Sequence, residues 1–160
     1  MPISTNSLMT KLIKGKRIDL ILKKHESDFY DIKISDYLKK LCREHNIQPD
    51  QLVAKSQIDR GYGYQIFNGI RIPSRDKLLQ LAIGLGLSLD DTQRLLKIGN
   101  HSILYPKFKR DVVLIYAISH HLDVKGTQEL LRSQNLPVLG AKYKSRPVTD
   151  KSKATSRKHP

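Results

Sequence analysis

The 160-residue chain has a single cysteine, Cys42, so it cannot form an intramolecular disulfide framework or a cysteine-rich zinc site. No apolar run approaches the length of a membrane span, and the first residues lack the apolar region and cleavage site of a secretory signal. These absences exclude disulfide-stapled and membrane-spanning proteins. We expect a soluble protein of the cytoplasm.

Motifs of common enzymes and of metal or cofactor sites are also missing. The sequence has no HExxH, no glycine-rich phosphate loop and no GxSxG. The densest histidine cluster, His120-His121, falls on a predicted helix, where adjacent side chains diverge by about 100° and cannot chelate as a pair. Cys42 lies on an apolar helical face, where a cysteine is more often a core residue than a nucleophile. We therefore expect no enzymatic activity, no metal, no cofactor and no catalytic residue.

Acidic residues are scarce, because 29 basic residues face 15 acidic ones for a net charge of +14. Such an excess raises the concentration of polyanions around the molecule. The excess is uneven: residues 141–160 hold seven basic residues and one acid, whereas residues 34–135 hold fifteen and ten. The composition of residues 137–160 predicts a basic disordered tail, which either only keeps the chain soluble or grips the phosphates of DNA or RNA.

Apolar residues recur at helical spacing and never alternate with period two over a sustained run, which predicts an all-α protein. Residues 1–33 are expected to form N-terminal amphipathic helices, with a buried stripe of Leu8, Leu12, Ile18, Ile21, Leu22 and Phe29. The next helix should begin with Ser35 as its cap. Residues suited to helix starts then recur at Pro49, Asp59, Ser74 and Ser88.

Residues 75–100 resemble residues 110–135 at an offset of 35, with eleven identities in 26 positions. Several matches lie outside the apolar stripe: Arg75/Arg110, Asp76/Asp111, Thr92/Thr127, Gln93/Gln128 and Asn100/Asn135. Two leucine-rich hairpins can resemble each other by chance, but the matched polar residues favour a repeat. The sequence therefore predicts an additional helical hairpin at residues 105–136 that repeats residues 70–101.

Residues 52–73, LVAKSQIDRGYGYQIFNGIRIP, predict two short helices, a tight turn and a stop at Asn68-Gly69. With the following LLQLAIGLGLSLDD, this segment resembles the lambda-repressor-like helix-turn-helix domain of the XRE family of transcriptional regulators, over residues 34–91. The resemblance implies a helix-turn-helix DNA-binding domain, extended here to residues 34–104, whose recognition helix at about 60–68 enters the major groove of double-stranded DNA.

The same resemblance implies a sequence-specific regulator of transcription, bacterial or from a mobile element, that is associated with the nucleoid. It also implies a homodimer acting on an inverted-repeat operator. We expect the dimer interface on residues 107–135, because their VVLIYAI run offers more apolar surface than one small core needs.

Site residues follow from the resemblance position by position. The base contacts that it implies are Arg60, Gly61, Tyr64 and Gln65. Of these, Arg60 suits guanine and Gln65 suits adenine, each through paired hydrogen bonds. The phosphate contacts that it implies are Lys55, Asn68, Arg71, Arg75 and Lys77.

Four positions depart from the family pattern. Pro49 stands at the start of the supporting helix, where the family often has a glutamine that contacts phosphate. Val53 and Gln57 stand where an alanine of the supporting helix and a glycine of the turn are typical, and Gly63 replaces an inward-facing Ile or Val. Glycine weakens a helix by about 1 kcal/mol relative to alanine, and we expect Tyr62 or Tyr64 to turn inward and fill the space. The departures leave an alternative function open: a helical adaptor that binds a protein partner through the aromatic face of Tyr62, Tyr64 and Phe67 together with the repeated hairpins.

Overall fold

The computed structural model describes residues 3–141, and this part of the chain is all-helical, as the sequence predicted. Its α-helices are α1 (Thr5–Lys14), α2 (Ile18–Lys24), α3 (Ile34–Glu44), α4 (Pro49–Lys55), α5 (Arg60–Phe67), α6 (Arg75–Leu85), α7 (Leu89–Ile98), α8 (Lys109–Ser119) and α9 (Val124–Ser133). A single turn of 3-10 helix, Glu26–Asp28, follows α2. None of these helices combines the length and the apolar character needed to cross a bilayer.

One hydrophobic core joins α3 to α9. Each of these helices contributes at least one almost fully buried side chain: Leu38, Leu52, Ile66, Leu79, Leu96, Leu114 and Leu131. Helix α4 packs against both α5 and α6, and α3 packs against α4 and α5. The short helix α5 is therefore held on α3 and α4, with one side left toward solvent.

Polar residues at the helix starts explain where α5, α6 and α7 begin. The Asp59 carboxylate accepts a backbone hydrogen bond from the first turn of α5, and Ser74 and Ser88 cap α6 and α7 in the same way. Helix α3 differs from its prediction. It begins at Ile34, so Ser35, the expected cap, lies buried within the first turn.

The N-terminal helices do not bury the predicted stripe. Helices α1 and α2 contact each other, but neither has a buried residue. Leu12, Ile18 and Leu22 are exposed, so the prediction is wrong at these positions. The reason is that α1 and α2 pack chiefly on each other and contribute no side chain to the core formed by α3 to α9. The buried residue of this segment is His25, whose Nδ1 lies 3.2 Å from Asp28 Oδ2.

Two reciprocal ion pairs join the hairpin α6–α7 to the hairpin α8–α9. Arg75 binds the Asp111 carboxylate through two hydrogen bonds of 3.0 and 2.9 Å, and Arg110 binds Asp76 through two of 2.9 Å. Helix α6 also contacts α9, and α7 contacts α8. Because the arginine of each copy binds the aspartate of the other, the two hairpins make the kind of contact that a two-fold axis generates.

The matched glutamines show that the repeat extends further than the sequence comparison indicated. Gln93 binds both backbone groups of Leu104, with distances of 2.8 and 2.7 Å, and Gln128 binds Leu139 in the same way at 2.9 and 2.7 Å. Both leucines are buried and lie at the same offset of 35. Residues 137–140 complete the second hairpin, so the prediction that the tail begins at residue 137 is wrong for these residues. The remainder of that tail, residues 142–160, lies outside the described residues.

Candidate nucleic-acid interface

Helix α5 coincides with the predicted recognition helix, and its outer face carries exposed side chains. Arg60 and Tyr64 lie four residues apart, so they project from successive turns of one face. Both are exposed, and Tyr64 is 65% exposed. Gly61 is also exposed and leaves the backbone open beside Arg60. Three of the four predicted base contacts therefore share an accessible surface.

The inner face of α5 rests on α4 through Gly63 and Val53. A Cβ atom added to Gly63 would lie 2.5 Å from Val53 Cγ2 and closer still to Cγ1. The valine methyl groups thus fill the space that a side chain at position 63 would take. Tyr62 is half-buried and packs against the core, whereas Tyr64 is exposed, so one tyrosine turns inward as expected. The expectation is wrong only in that Val53, and not a tyrosine ring, lies nearest to Gly63. A larger residue on one helix compensates for a smaller residue on the other.

The turn between α4 and α5 has the backbone conformation that glycine favours, although the residue at that position is Gln57. Gln57 has φ 57°, in the left-handed region that non-glycine residues rarely adopt. The carbonyl oxygens of Ser56 and Gln57 accept hydrogen bonds from Gln80 Nε2 of α6 at 3.2 and 3.5 Å. The turn is therefore tied to the scaffold even though its sequence departs from the expected pattern.

Tyr62 organises the basic residues that follow α5. The Arg71 guanidinium carbon lies 4.7 Å from the centre of the Tyr62 ring, and Lys77 Nζ lies 5.2 Å from it. Arg71 Nε also donates a 2.8 Å hydrogen bond to Gln65 Oε1. Gln65 is half-buried and holds Arg71, so the structure places it with the predicted phosphate contacts rather than with Arg60 and Tyr64.

The predicted phosphate contacts fall into two groups. Lys55, Asn68 and Arg71 are exposed, and Lys77 is half-buried beside Tyr62. Asn68 Nδ2 donates to the Tyr64 carbonyl at 2.8 Å, which fixes the end of α5. Arg75 is different, because its guanidinium binds Asp111 and the carbonyl oxygens of residues 102 and 103. These contacts give Arg75 a structural role between the hairpins, so we remove it from the set of phosphate contacts.

A recess of about 320 Å³ opens between α3, α4 and α5, beside Arg60 and Tyr64. Val53, Gly63 and Phe67 supply apolar lining, whereas Lys39, Asp50 and Asn68 supply polar lining. Lys39 was not among the predicted site residues. The sequence signalled it only weakly, as an exposed position beside the buried stripe of α3.

The surface around α5 is predominantly basic, since Lys39, Lys55, Arg60, Arg71 and Lys77 all lie on it or line its edges. Asp50 and Asp59 also lie there, and each carboxylate accepts a hydrogen bond from a backbone amide in the first turn of its helix, that of Gln51 and that of Tyr62. A basic surface around a projecting helix has the charge needed to approach a polyanion. Comparison of the chain with family models, with curated proteins and with solved structures finds no match.

Proposed function

We propose that the protein is a sequence-specific, double-stranded-DNA-binding regulator of transcription in which α5 reads the major groove. The observation that supports this most is the joint exposure of Arg60 and Tyr64 on a helix whose other side is seated on α4 through Gly63. A major groove admits one α-helix, and residues at the start of that helix meet the base edges. The resemblance to the XRE family supports the same function.

The proposed roles follow from the surroundings of each side chain. Arg60, in the first turn of α5, donates paired hydrogen bonds to a guanine, and the Tyr64 ring packs against a neighbouring base edge. Lys39, Lys55 and Arg71 flank the helix and neutralise phosphates, which supplies affinity without sequence choice. Gln65 and Tyr62 act as positioning residues, because they fix the Arg71 guanidinium. The proposed action is binding alone, without catalysis.

The proposal is tested by fluorescence anisotropy of the full chain on the promoter of its own operon and on a random duplex. Arg60→Ala should weaken promoter binding by about 5- to 150-fold, which is the loss of affinity expected when one bidentate contact to a base is removed. Gln65→Ala should weaken binding to both duplexes, because it releases Arg71. Lys125→Ala, which removes an equal charge from an exposed position on α9, is the control and should have little effect on either duplex. Unchanged affinity and base preference in both Arg60→Ala and Gln65→Ala would overturn the assignment.

A protein-binding adaptor is the second candidate function. The observation that favours it is the partly apolar recess beside Tyr64, which has the size of a pocket for a side chain of a partner. Random-duplex binding across a salt series, with the chain cut after Ala141, separates the two functions. Retained binding with a steep salt dependence supports the DNA-binding function, since each neutralised phosphate releases counterions. If binding disappears with residues 142–160, the basic segment alone accounts for it, whether the ligand is DNA or RNA.

A further inference from the structure

Helix α8 carries an exposed apolar stripe. Phe108, the N-cap residue of α8, and Val112 and Tyr116 within the helix are 64, 46 and 52% exposed. Val112 and Tyr116 lie four residues apart on one face of α8, and Phe108 precedes them at its amino end. Tyr105 extends this face, with its ring centre 5.7 Å from that of Phe108. The remaining apolar residues of the VVLIYAI run are largely packed within the chain. A second molecule that approaches this helix therefore meets one apolar strip, which we call the α8 stripe. It consists of Phe108, Val112 and Tyr116.

The internal repeat shows that the matching face of α6 is covered by a helix. At the offset of 35, Tyr116 corresponds to Leu81 and Ser119 to Gly84. Leu81 is completely buried, and a Cβ atom added to Gly84 would lie 3.2 Å from Leu52 of α4. In the first hairpin this face thus seats α4, whereas in the second hairpin the one ring stacked on it is that of His120, whose centre lies 3.9 Å from that of Tyr116, and the stripe stays about half exposed among the described residues. The α8 stripe has the position of a helix-docking face.

We infer that the α8 stripe pairs with α8 of a second copy of the chain, antiparallel, with Val112 on the two-fold axis. The spacing of the stripe is symmetric, because one aromatic residue lies four positions before Val112 and one lies four positions after it. A two-fold axis at Val112 therefore sets Phe108 of one copy against Tyr116 of the other, in a self-complementary contact. This inference deepens the proposed function, since a two-fold dimer matches an inverted-repeat operator.

Charge favours the antiparallel direction. The stripe itself carries no charged side chain, and the exposed Lys107 and Lys109 lie at its amino end. Antiparallel pairing sets these lysines beside the carboxyl end of the other α8, where the helix dipole places partial negative charge. Parallel pairing would instead set the lysines of the two copies side by side.

The size of the stripe sets the expected strength of the dimer. Its half-exposed aromatic rings, with Val112 and Tyr105, offer on the order of 500 Å² per copy, or roughly 1,000 Å² for the pair, which is the lower end for specific interfaces. We therefore expect a dissociation constant in the micromolar range without DNA.

Sedimentation velocity of the full chain over a concentration series tests the dimer. Val112→Lys places on α8 the residue type that α6 has at the matched position, Lys77, so folding should persist while two lysines meet at the axis. This variant should dimerise at least 10-fold more weakly than the unmodified chain. Gln134→Lys adds the same charge at an exposed position beyond α9 and should dimerise normally. A chain that stays monomeric, or a dimer unaffected by Val112→Lys, overturns the inference.

Cross-linking tests the register. Because Cys42 is the only cysteine and is buried, single cysteines are introduced in a Cys42→Ala background and treated with a short bis-maleimide. Val112→Cys should cross-link with itself, whereas Phe108→Cys and Tyr116→Cys should cross-link mainly with each other when mixed. Self-linking at all three positions would indicate a parallel pair, and no linking above a Gln134→Cys control would indicate no pairing; either contradicts the inference. These readouts use no DNA, so their failure is distinguishable from failure of the Arg60→Ala test.

Discussion

Val53 of α4 and Gly63 of α5 share one space between the two helices, and the valine methyl groups occupy it. Each residue alone departs from the pattern that the chain resembles, yet together they keep the two helices in contact. The absence of a side chain at position 63 lets α5 lie against α4 while Arg60 and Tyr64 remain on its outer face. The pair therefore links the packing of the domain to the surface proposed to read DNA.

Because Val53 and Gly63 compensate each other, their substitutions should not be additive. Gly63→Ala should lose about 1–3 kcal/mol by overpacking, and Val53→Ala should lose roughly 2 kcal/mol by leaving a cavity. The double variant should be more stable than the sum predicts, since the added Cβ would then lie 3.0 Å from the Cβ of residue 53 and no methyl groups would intervene. Urea unfolding followed by circular dichroism measures this coupling. Gly61→Ala, on the exposed side of the same helix, brings its Cβ to 3.3 Å from one oxygen of the Asp59 carboxylate and meets no other side chain, so it should destabilise less than Gly63→Ala. Strictly additive effects of Val53→Ala and Gly63→Ala would disprove the coupling.

The left-handed backbone of Gln57 predicts a stabilising substitution. Gln57→Gly should raise the free energy of unfolding by about 0.5–1 kcal/mol, because a non-glycine residue pays a steric cost at φ 57°. The backbone carbonyl that accepts from Gln80 is kept. Gln57→Ala retains the steric cost and should change stability little. Equal effects of the two substitutions would show that backbone strain is not the cause.

The ion pair between Asp76 and Arg110 predicts a loss of stability in acid. Burial raises the pKa of Asp76, but hydrogen bonds from Arg110 and the Gly140 amide outweigh it and hold the pKa below its ordinary value. Because the pKa of Asp76 is lower in the folded chain than in the unfolded chain, the unfolded chain binds a proton at Asp76 more tightly. The ion pair therefore stabilises the fold fully above the unfolded pKa of about 4. This stabilisation is lost as the pH falls through the lower pKa of the folded chain. Asp76→Asn should be less stable at neutral pH and should lose less on acidification. Urea midpoints from neutral pH to about pH 2 measure the slope. Equal slopes for Asp76→Asn and the wild-type chain would show that this ion pair is not the cause.

Two truncated chains, one with residues 137–140 and one without them, should differ sharply in thermal stability. Removal of residues after Ala141 should leave the thermal midpoint unchanged. Removal after Leu136 takes away the buried Leu139 and leaves the Gln128 amide without its backbone partners, so it should cost about 3–5 kcal/mol. Equal midpoints for the two truncated chains would show that this segment does not stabilise the second hairpin.

The all-α class, the caps Asp59, Ser74 and Ser88 and the position of α5 could be predicted from local sequence, because helical spacing and capping depend on nearby residues. The partnership of Val53 with Gly63 could not, since it depends on how two helices cross. For the same reason the role of Arg75 was missed: its partner Asp111 is 36 residues away. The match of Leu104 with Leu139 was present in the sequence and would have extended the second hairpin to its true end.

Selection of bound duplexes from a random pool, with the full wild-type chain and with Arg60→Ala, tests most directly whether α5 reads DNA. The proposed function predicts that the wild-type chain enriches a defined motif arranged as an inverted repeat. It also predicts that Arg60→Ala loses the preference for one guanine in each half of the motif and keeps the others. No enriched motif, or an identical motif for both proteins, would contradict it.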